Sequence, residues 1–138
     1  VVNALPEEQL NEYLGHRFEA LCAEWLVEQA KRGKLPIPAT AVSSWWGTNP
    51  AKRAQDDIDV LAADRVSKRL VIGECKYRES FDESAEIDDL ESKRGLVKGF
   101  AASHFMLFCK HDVSAATKKK LAAREDWQIV TLKDMYID

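Results

Sequence analysis

The sequence predicts a single mixed α/β domain, and three observations lead there. Apolar residues recur at helical spacing across 6–30. Two strand-like runs, 57–63 and 69–76, follow with a short polar turn between them. Helical and strand-like segments then alternate, giving the order helix, three strands, helix, strand, helix, strand. A chain of 138 residues has room for one hydrophobic core and not for two ordinary ones.

In the first segment Leu14, Phe18, Leu21, Cys22, Trp25 and Leu26 form one buried stripe, and Lys31-Arg32-Gly33 supplies a charge-matched, glycine-bearing stop. Pro36 and Pro38 enforce an extended linker. Residues 41–46 open a sheet, Gly47-Thr48-Asn49-Pro50 reads as a turn, and 51–55 as a polar loop. Residues 80–84 make a polar break before a second helix over 86–100, in which Gly95 and Gly99 weaken helical propensity or mark close packing. A buried strand spans 104–109, Ser114 caps a third helix running to Arg124, and 127–132 is a final strand.

The composition is that of a globular protein, 46% hydrophobic and 31% charged. No apolar run approaches the ~20 residues that cross a bilayer, and no stretch has the layout of a secretory signal. The net charge of −3 and pI of about 5.7 argue against coating nucleic acid by bulk attraction. A local basic rim remains compatible, since screening confines charge effects to roughly 8–10 Å. Cys22, Cys75 and Cys109 are scattered and odd in number. They form neither a disulfide framework nor a zinc cluster and read as reduced, buried thiols of a cytoplasmic protein. A chain beginning at Val1 reads as part of a longer protein.

The informative segment is Asp56-Asp57-Ile58-Asp59-Val60-Leu61 followed by Val71-Ile72-Gly73-Glu74-Cys75-Lys76. A hairpin with a four-residue loop at 65–68 pairs Asp64 with Arg69, Ala62 with Val71, and Asp59 with Glu74. Strict alternation then puts Ile58, Val60, Ala62, Val71, Gly73 and Cys75 on one face. The other carries Leu61, Leu70 and Ile72, with Asp57, Asp59, Glu74 and Lys76 at the far end. A one-residue slip would bury Asp59 among core residues, so burial favours this register. Carboxylates brought so close repel and need compensation. A hard divalent cation can supply it, polarising a phosphoryl oxygen and lowering the pKa of bound water. Lys76 can orient that water or offset charge at the phosphate. Spacing alone leaves open an ordinary polar strand start and a surface Glu74–Lys76 pair, typically contributing about 0–1 kcal/mol.

Asp59, fourteen residues, then Glu74-Cys75-Lys76 resembles the signature of the PD-(D/E)XK nuclease superfamily. The chain looks most like the C-terminal domain of unknown function carried by certain archaeal and bacterial ATPases. The motifs carrying that resemblance are Gly15-His16-Arg17-Phe18-Glu19, Trp45-Trp46, Ile58-Asp59-Val60, Glu74-Cys75-Lys76, Leu107-Phe108-Cys109-Lys110 and the ending from Val130 to Tyr136. It implies a restriction-endonuclease-like core, a mixed central sheet flanked by helices. It further implies that Asp59 and Glu74 hold Mg²⁺ or Mn²⁺ with Glu19 and the Cys75 backbone carbonyl, and that Lys76 assists the attacking water. Glu19 also falls at the edge of the buried helical stripe, where a carboxylate needs a partner. Asp57 is an accessory ligand candidate. Ile58, not proline, precedes Asp59, a departure which that branch commonly shares.

Trp45 and Trp46 are expected in the core or at a subunit interface rather than as base-stacking platforms. His111-Asp112 reads as a solvated loop, His16 and His104 as structural or exposed, and Lys118-Lys119-Lys120 as a solvated helix face. Lys93, Arg94 and Lys98 are better phosphate contacts, with Arg94 snorkelling towards the site. The acidic cluster 82–91 is expected to face away from DNA. The expected function is metal-dependent hydrolysis of DNA phosphodiesters by a domain attached to an upstream ATPase. Its rival is a silent DNA-binding, regulatory or dimerisation module of the same fold.

Overall fold

A 25-residue helix, α1 (Glu7–Lys31), opens the computed structural model, which describes residues 6–136. Pro6 precedes its first turn, Glu7 and Glu8 meet the positive end of its dipole, and Gly33 ends it at a φ of 66°. Phe18, Cys22 and Leu26, four residues apart, form its buried stripe, with Leu14, Leu21 and Trp25 half-buried beside them.

Five strands follow: β1 (Ala41–Asn49), β2 (Ala54–Asp64), β3 (Arg69–Lys76), β4 (Ala101–Cys109) and β5 (Trp127–Thr131). They form one sheet in chain order, antiparallel from β1 to β3 and parallel from β3 to β5. Helices α2 (Glu83–Ser92) and α3 (Ala115–Leu121) make the two parallel crossovers. The expected mixed α/β order therefore holds. The α1 side of the sheet buries Val60, Ala62, Val71, Cys75, Met106 and Phe108 against the helix stripe. The opposite side buries Leu61, Leu70, Ile72, Phe105 and Leu107 with Ile87 and Leu90 of α2 and Leu121 of α3. Among the described residues no helix is long and apolar enough to cross a membrane.

The β2–β3 register agrees with the sequence reading at Asp64↔Arg69 and Ala62↔Val71. Asp64 organises the four-residue turn, accepting the N–H groups of Val66 at 3.0 Å and Ser67 at 3.3 Å and the Ser67 hydroxyl. Lys68 takes the left-handed conformation that closes it. Elsewhere boundaries move. The segment 47–49, expected as a turn, continues β1, and β2 starts at Ala54, so the first hairpin is longer than its apolar pattern. Helix α2 starts earlier, with Asp82 accepting the Ala85 N–H at 3.1 Å, and ends at Ser92 rather than at 100. Gly95 and Gly99 follow in a chain of tight turns, Gly99 at a φ of 84°, which side chains rarely adopt. Ser114 caps α3 as expected, but that helix stops at Leu121, and Arg124 instead binds Glu91 and Asp126.

Gly73 is fixed by proximity. A Cβ there would lie 2.8 Å from the Phe108 ring and 2.9 Å from Val60 Cγ2. Gly73→Ala is expected to cost about 1–3 kcal/mol through overpacking, measured by urea unfolding. Stability equal to wild type would show that the Phe108–Val60 contact yields freely.

Candidate functional site

The site begins with a break in strand alternation. Ser43 pairs with Leu61, but Trp45 pairs with Ile58. Two steps along β1 thus match three along β2, a bulge around Asp59. The bulge turns Ile58 to the α2 side, beside Leu61 and Ile72, while Val60 and Ala62 remain on the α1 side. The expectation that Ile58 shares the face of Val60 is therefore corrected, because uniform alternation does not survive an extra residue. The β2–β3 ladder stops at Val60↔Gly73. Beyond it the Asp59 side chain takes the place of a strand, with Oδ2 accepting the Cys75 N–H at 2.9 Å.

Glu19 from α1, Asp57 and Asp59 from β2, and Glu74, Cys75 and Lys76 from β3 all line one cleft of about 800 Å³. The structure thus brings together the expected metal-ligand set, the accessory candidate Asp57 and Lys76. Its rim adds Arg78, Glu79 and Lys110, which the sequence reading did not assign to the site. Lys110 pairs with Glu79 at 2.5 Å and lies over the Tyr77 ring.

Glu74 is buried, and its Oε2 is the sole fully buried side-chain oxygen or nitrogen among the described residues without a hydrogen-bond partner. Burial first, then the adjacent Asp59 carboxylate, pushes its pKa up to about 8, against the opposing pull of Lys93 and Lys76. Burial and Asp59 also raise the pKa of half-buried Glu19 and of Asp57 on the exposed rim. Lys76 Nζ lies 3.6 Å from Glu74 and 3.3 Å from Glu86 of α2. Glu86 went unrecognised because it belongs to the acidic cluster expected to face away; the start of α2 in fact borders the site.

Asp56 shows what a satisfied carboxylate looks like. Burial works against its charge, but the Asn49 amide at 3.0 Å, the Asp57 N–H at 2.9 Å and Lys52 at 3.1 Å hold its pKa below the usual range. Lys93, expected to meet phosphate, is only 3% exposed. It donates to the Asp57 carbonyl at 2.7 Å and pairs with Asp56 and Asp89. Burial opposes its charge, yet Glu74, Asp89 and Asp56 together raise its pKa. Lys93 is thus the cation beneath the site. Arg94 points elsewhere, stacking 4.7 Å from the Phe105 ring centroid and donating to the Ala102 carbonyl at 3.0 Å. Exposed His111 binds Glu79, and Lys118 pairs with Asp112, as befits solvated surface. Trp45 packs on the α2-side core, whereas Trp46, expected in the core or at a subunit interface, lies outside the core and is 76% exposed in the single chain.

Among the described residues no three His, Cys, Asp or Glu groups close into a ready-made metal cage. The donor chemistry nonetheless fits a hard divalent cation: oxygen ligands, mutual repulsion and an orphaned buried carboxylate oxygen. The Cys75 side chain is not part of that donor set. The neighbouring Cys22 thiol and burial push its pKa well above the ordinary value, so it stays protonated.

Because the folded pKa of Glu74 lies above the ordinary 4.5, the folded state keeps a proton that the unfolded state releases between about pH 4.5 and 8. The contribution of this group to stability is therefore fully present below that window and is lost as pH rises through it. In chelator, Glu74→Gln is expected to match wild type near pH 4.5 and exceed it at pH 8 by an amount on the order of a few kcal/mol. Urea unfolding across that range measures this, and parallel curves for the two proteins would refute it.

Comparison with known proteins adds three likenesses. The family model described as "Archaea bacterial proteins of unknown function" (DUF234) matches residues 2–87, which include Glu19, Asp59, Glu74 and Lys76. An uncharacterized protein of Methanocaldococcus jannaschii, MJECL04, is 30% identical over 89 residues, covering 63% of this chain and 19% of that protein. The crystal structure of protein VC1899 from Vibrio cholerae is similar with a TM-score of 0.64 and 19% identity, over 95% of this chain and 33% of that one. That identity shows a shared fold alone. The chain spans about a fifth of the curated relative and a third of the solved one.

Proposed function

This chain belongs to the DUF234 family of archaeal and bacterial proteins, and on that premise we propose that it is a metal-dependent nuclease-fold domain of the PD-(D/E)XK kind, hydrolysing DNA phosphodiesters. The observation that carries the reading is the buried Glu74 carboxyl beside Asp59, one of its oxygens unpartnered, with Lys76 alongside. Asp59, Glu74, Glu19 and the Cys75 carbonyl would hold Mg²⁺ or Mn²⁺. When bound, the ion would neutralise the carboxylates and polarise a phosphoryl oxygen and a water molecule.

The chain's own groups have separable roles. Asp59 is oriented by the Cys75 amide. Glu74 gives up its proton as positive charge arrives. Lys76, steadied between Glu74 and Glu86, retains a donor for the attacking water or the phosphate. In the reaction the water oxygen forms a bond to phosphorus and the ester P–O bond breaks. The water proton leaves to solvent and the departing oxygen gains one, yielding a phosphomonoester and an alcohol. The same reading places the domain beside an ATPase region in a longer protein.

One observation favours a second reading, a silent DNA-binding, regulatory or dimerisation module. Glu7, Glu12 and Glu79 add negative charge around the cleft, and without a cation they repel phosphate.

Calorimetric titration with Mn²⁺ is expected to show binding to wild type that Asp59→Ala and Glu74→Ala each abolish. Lys76→Ala should retain the metal and lower cleavage of DNA by roughly 100-fold or more. Cleavage indifferent to Glu74→Ala would remove the basis of the proposal. A folded wild type that binds no Mn²⁺, with or without DNA, would favour the silent module.

A further inference from the structure

Of the four tryptophans, Trp46 alone is exposed. Its position in β1 is tied to the site by register. Trp46 and Asp57 are direct cross-strand partners, so their Cβ atoms lie about 5 Å apart on one face. Trp45 turns the other way, onto the core with Ile58. A shallow depression of about 460 Å³ is lined by Trp46, Gln55, Asp56 and Asp57, and Asp57 also lines the carboxylate cleft. The indole therefore stands at the lip of the candidate site, with one carboxylate common to both.

The surroundings favour a planar ligand over a second protein surface. The exposed residues near Trp46 along β1 are Ser43, Ser44 and Thr48. The other exposed large apolar residues lie on α1, in the β2–β3 turn and at Tyr136. Among the described residues no other exposed large apolar side chain adjoins the indole for a second copy to bury. At the tip of the same hairpin Arg53 is exposed and, among the described residues, pairs with no carboxylate, unlike Lys52 beside it. An aromatic face, an available guanidinium and a neighbouring phosphodiester-cleaving site together suit a nucleotide strand whose base is free to stack.

We propose that Trp46 is a stacking platform for an unpaired nucleobase, so that the cleft accepts single-stranded or locally opened nucleic acid. The inference rests on the hydrolytic reading of the carboxylate site and deepens it by naming the form of the substrate. The stacked base anchors the strand at the edge of β1, Arg53 meets its backbone, and the next phosphate is led past Asp57 towards Glu74 and Lys76. Stacking does not depend on charge, which matters in a cleft whose rim is acidic.

The test is binding of a labelled single-stranded oligothymidylate, compared with an abasic strand of equal length, with Ca²⁺ in place of Mn²⁺. Trp46→Ala is expected to weaken oligothymidylate binding about 5- to 100-fold, the loss of one stack, and to leave the abasic strand unaffected. Trp46→Phe should retain most of the affinity, and circular dichroism checks that both variants fold. Unchanged oligothymidylate affinity in Trp46→Ala, equal weakening for both strands, or no binding of oligothymidylate by wild type would each overturn the proposal. So would sedimentation showing a wild-type dimer that Trp46→Ala dissociates, since the indole would then be engaged by a second copy. Base-dependent binding without cleavage in Mn²⁺ would sink the hydrolytic reading and leave the platform standing. Cleavage that persists alongside unchanged binding in Trp46→Ala would sink the platform alone.

Discussion

The bond from the Cys75 amide to the Asp59 carboxylate is the constraint on which the site depends. The ladder between β2 and β3 has already ended, at Val60 and Gly73, and Cys75 is buried. Its N–H needs an acceptor, and leaving it without one would cost about 1–3 kcal/mol. Asp59 supplies that acceptor only because the bulge in β2 presents its side chain where the next strand residue would have been. One carboxylate thus completes the hydrogen bonding of the sheet and stands beside Glu74. Fold and site cannot be varied independently here, since moving Asp59 opens the sheet as well as the cleft.

Charge is distributed in the same economical way. Asp56 and Asp57 are adjacent in sequence, yet their carboxyls are driven in opposite directions. The donors around Asp56 overcome its burial, whereas Asp57 has burial and Asp59 against it. The carboxylates that are hard to ionise, Glu19, Asp57 and Glu74, converge on the cleft. Such clustering of strained ionisations is characteristic of sites that act on something external. Lys93 limits the strain from below. A buried ammonium is tolerable only when surrounded by acceptors, and Asp56, Asp89 and the Asp57 carbonyl provide them.

Sequence carried much of this and failed in specific places. The β2–β3 register was legible because Asp64 and the polar turn after it have local turn chemistry and the flanking residues alternate. Gathering Asp57, Asp59, Glu74 and Lys76 followed from that register. The bulge was not legible, because it is defined by pairing with β1, where Ser43 meets Leu61 but Trp45 meets Ile58. Its signature in the chain is only an apolar residue, Ile58, on what alternation calls the wrong face. The early end of α2 had a visible cause in Gly95 and Gly99, but apolar spacing at Leu96 and Val97 outweighed it. Those two residues pack on the core from turns rather than from a helix. Arg94 misled because a snorkelling side chain can run either way along a surface, and the Phe105 ring was the better partner.

The acidic composition looked like the strongest argument against a nucleic-acid substrate, and the geometry changes its weight. Part of the negative charge at the cleft is conditional. Glu74 keeps its proton up to about pH 8 when no cation is present, and Glu19 and Asp57 are biased the same way. A cation entering the cleft would draw the proton from Glu74 and offset the charge of Glu19, Asp57 and Asp59, so the field met by a phosphate would depend on the metal. Net charge of the whole chain is then a poor guide, because screening restricts a strand at the cleft to charges within roughly 8–10 Å. What a strand would meet there is a metal-loaded pocket, Lys76, Lys110, Arg78 and an exposed indole. An acidic protein can serve a polyanion in this way if attraction is delivered at the reacting phosphate rather than spread over the surface. The cost is weak non-specific binding, since little of the surface then attracts phosphate.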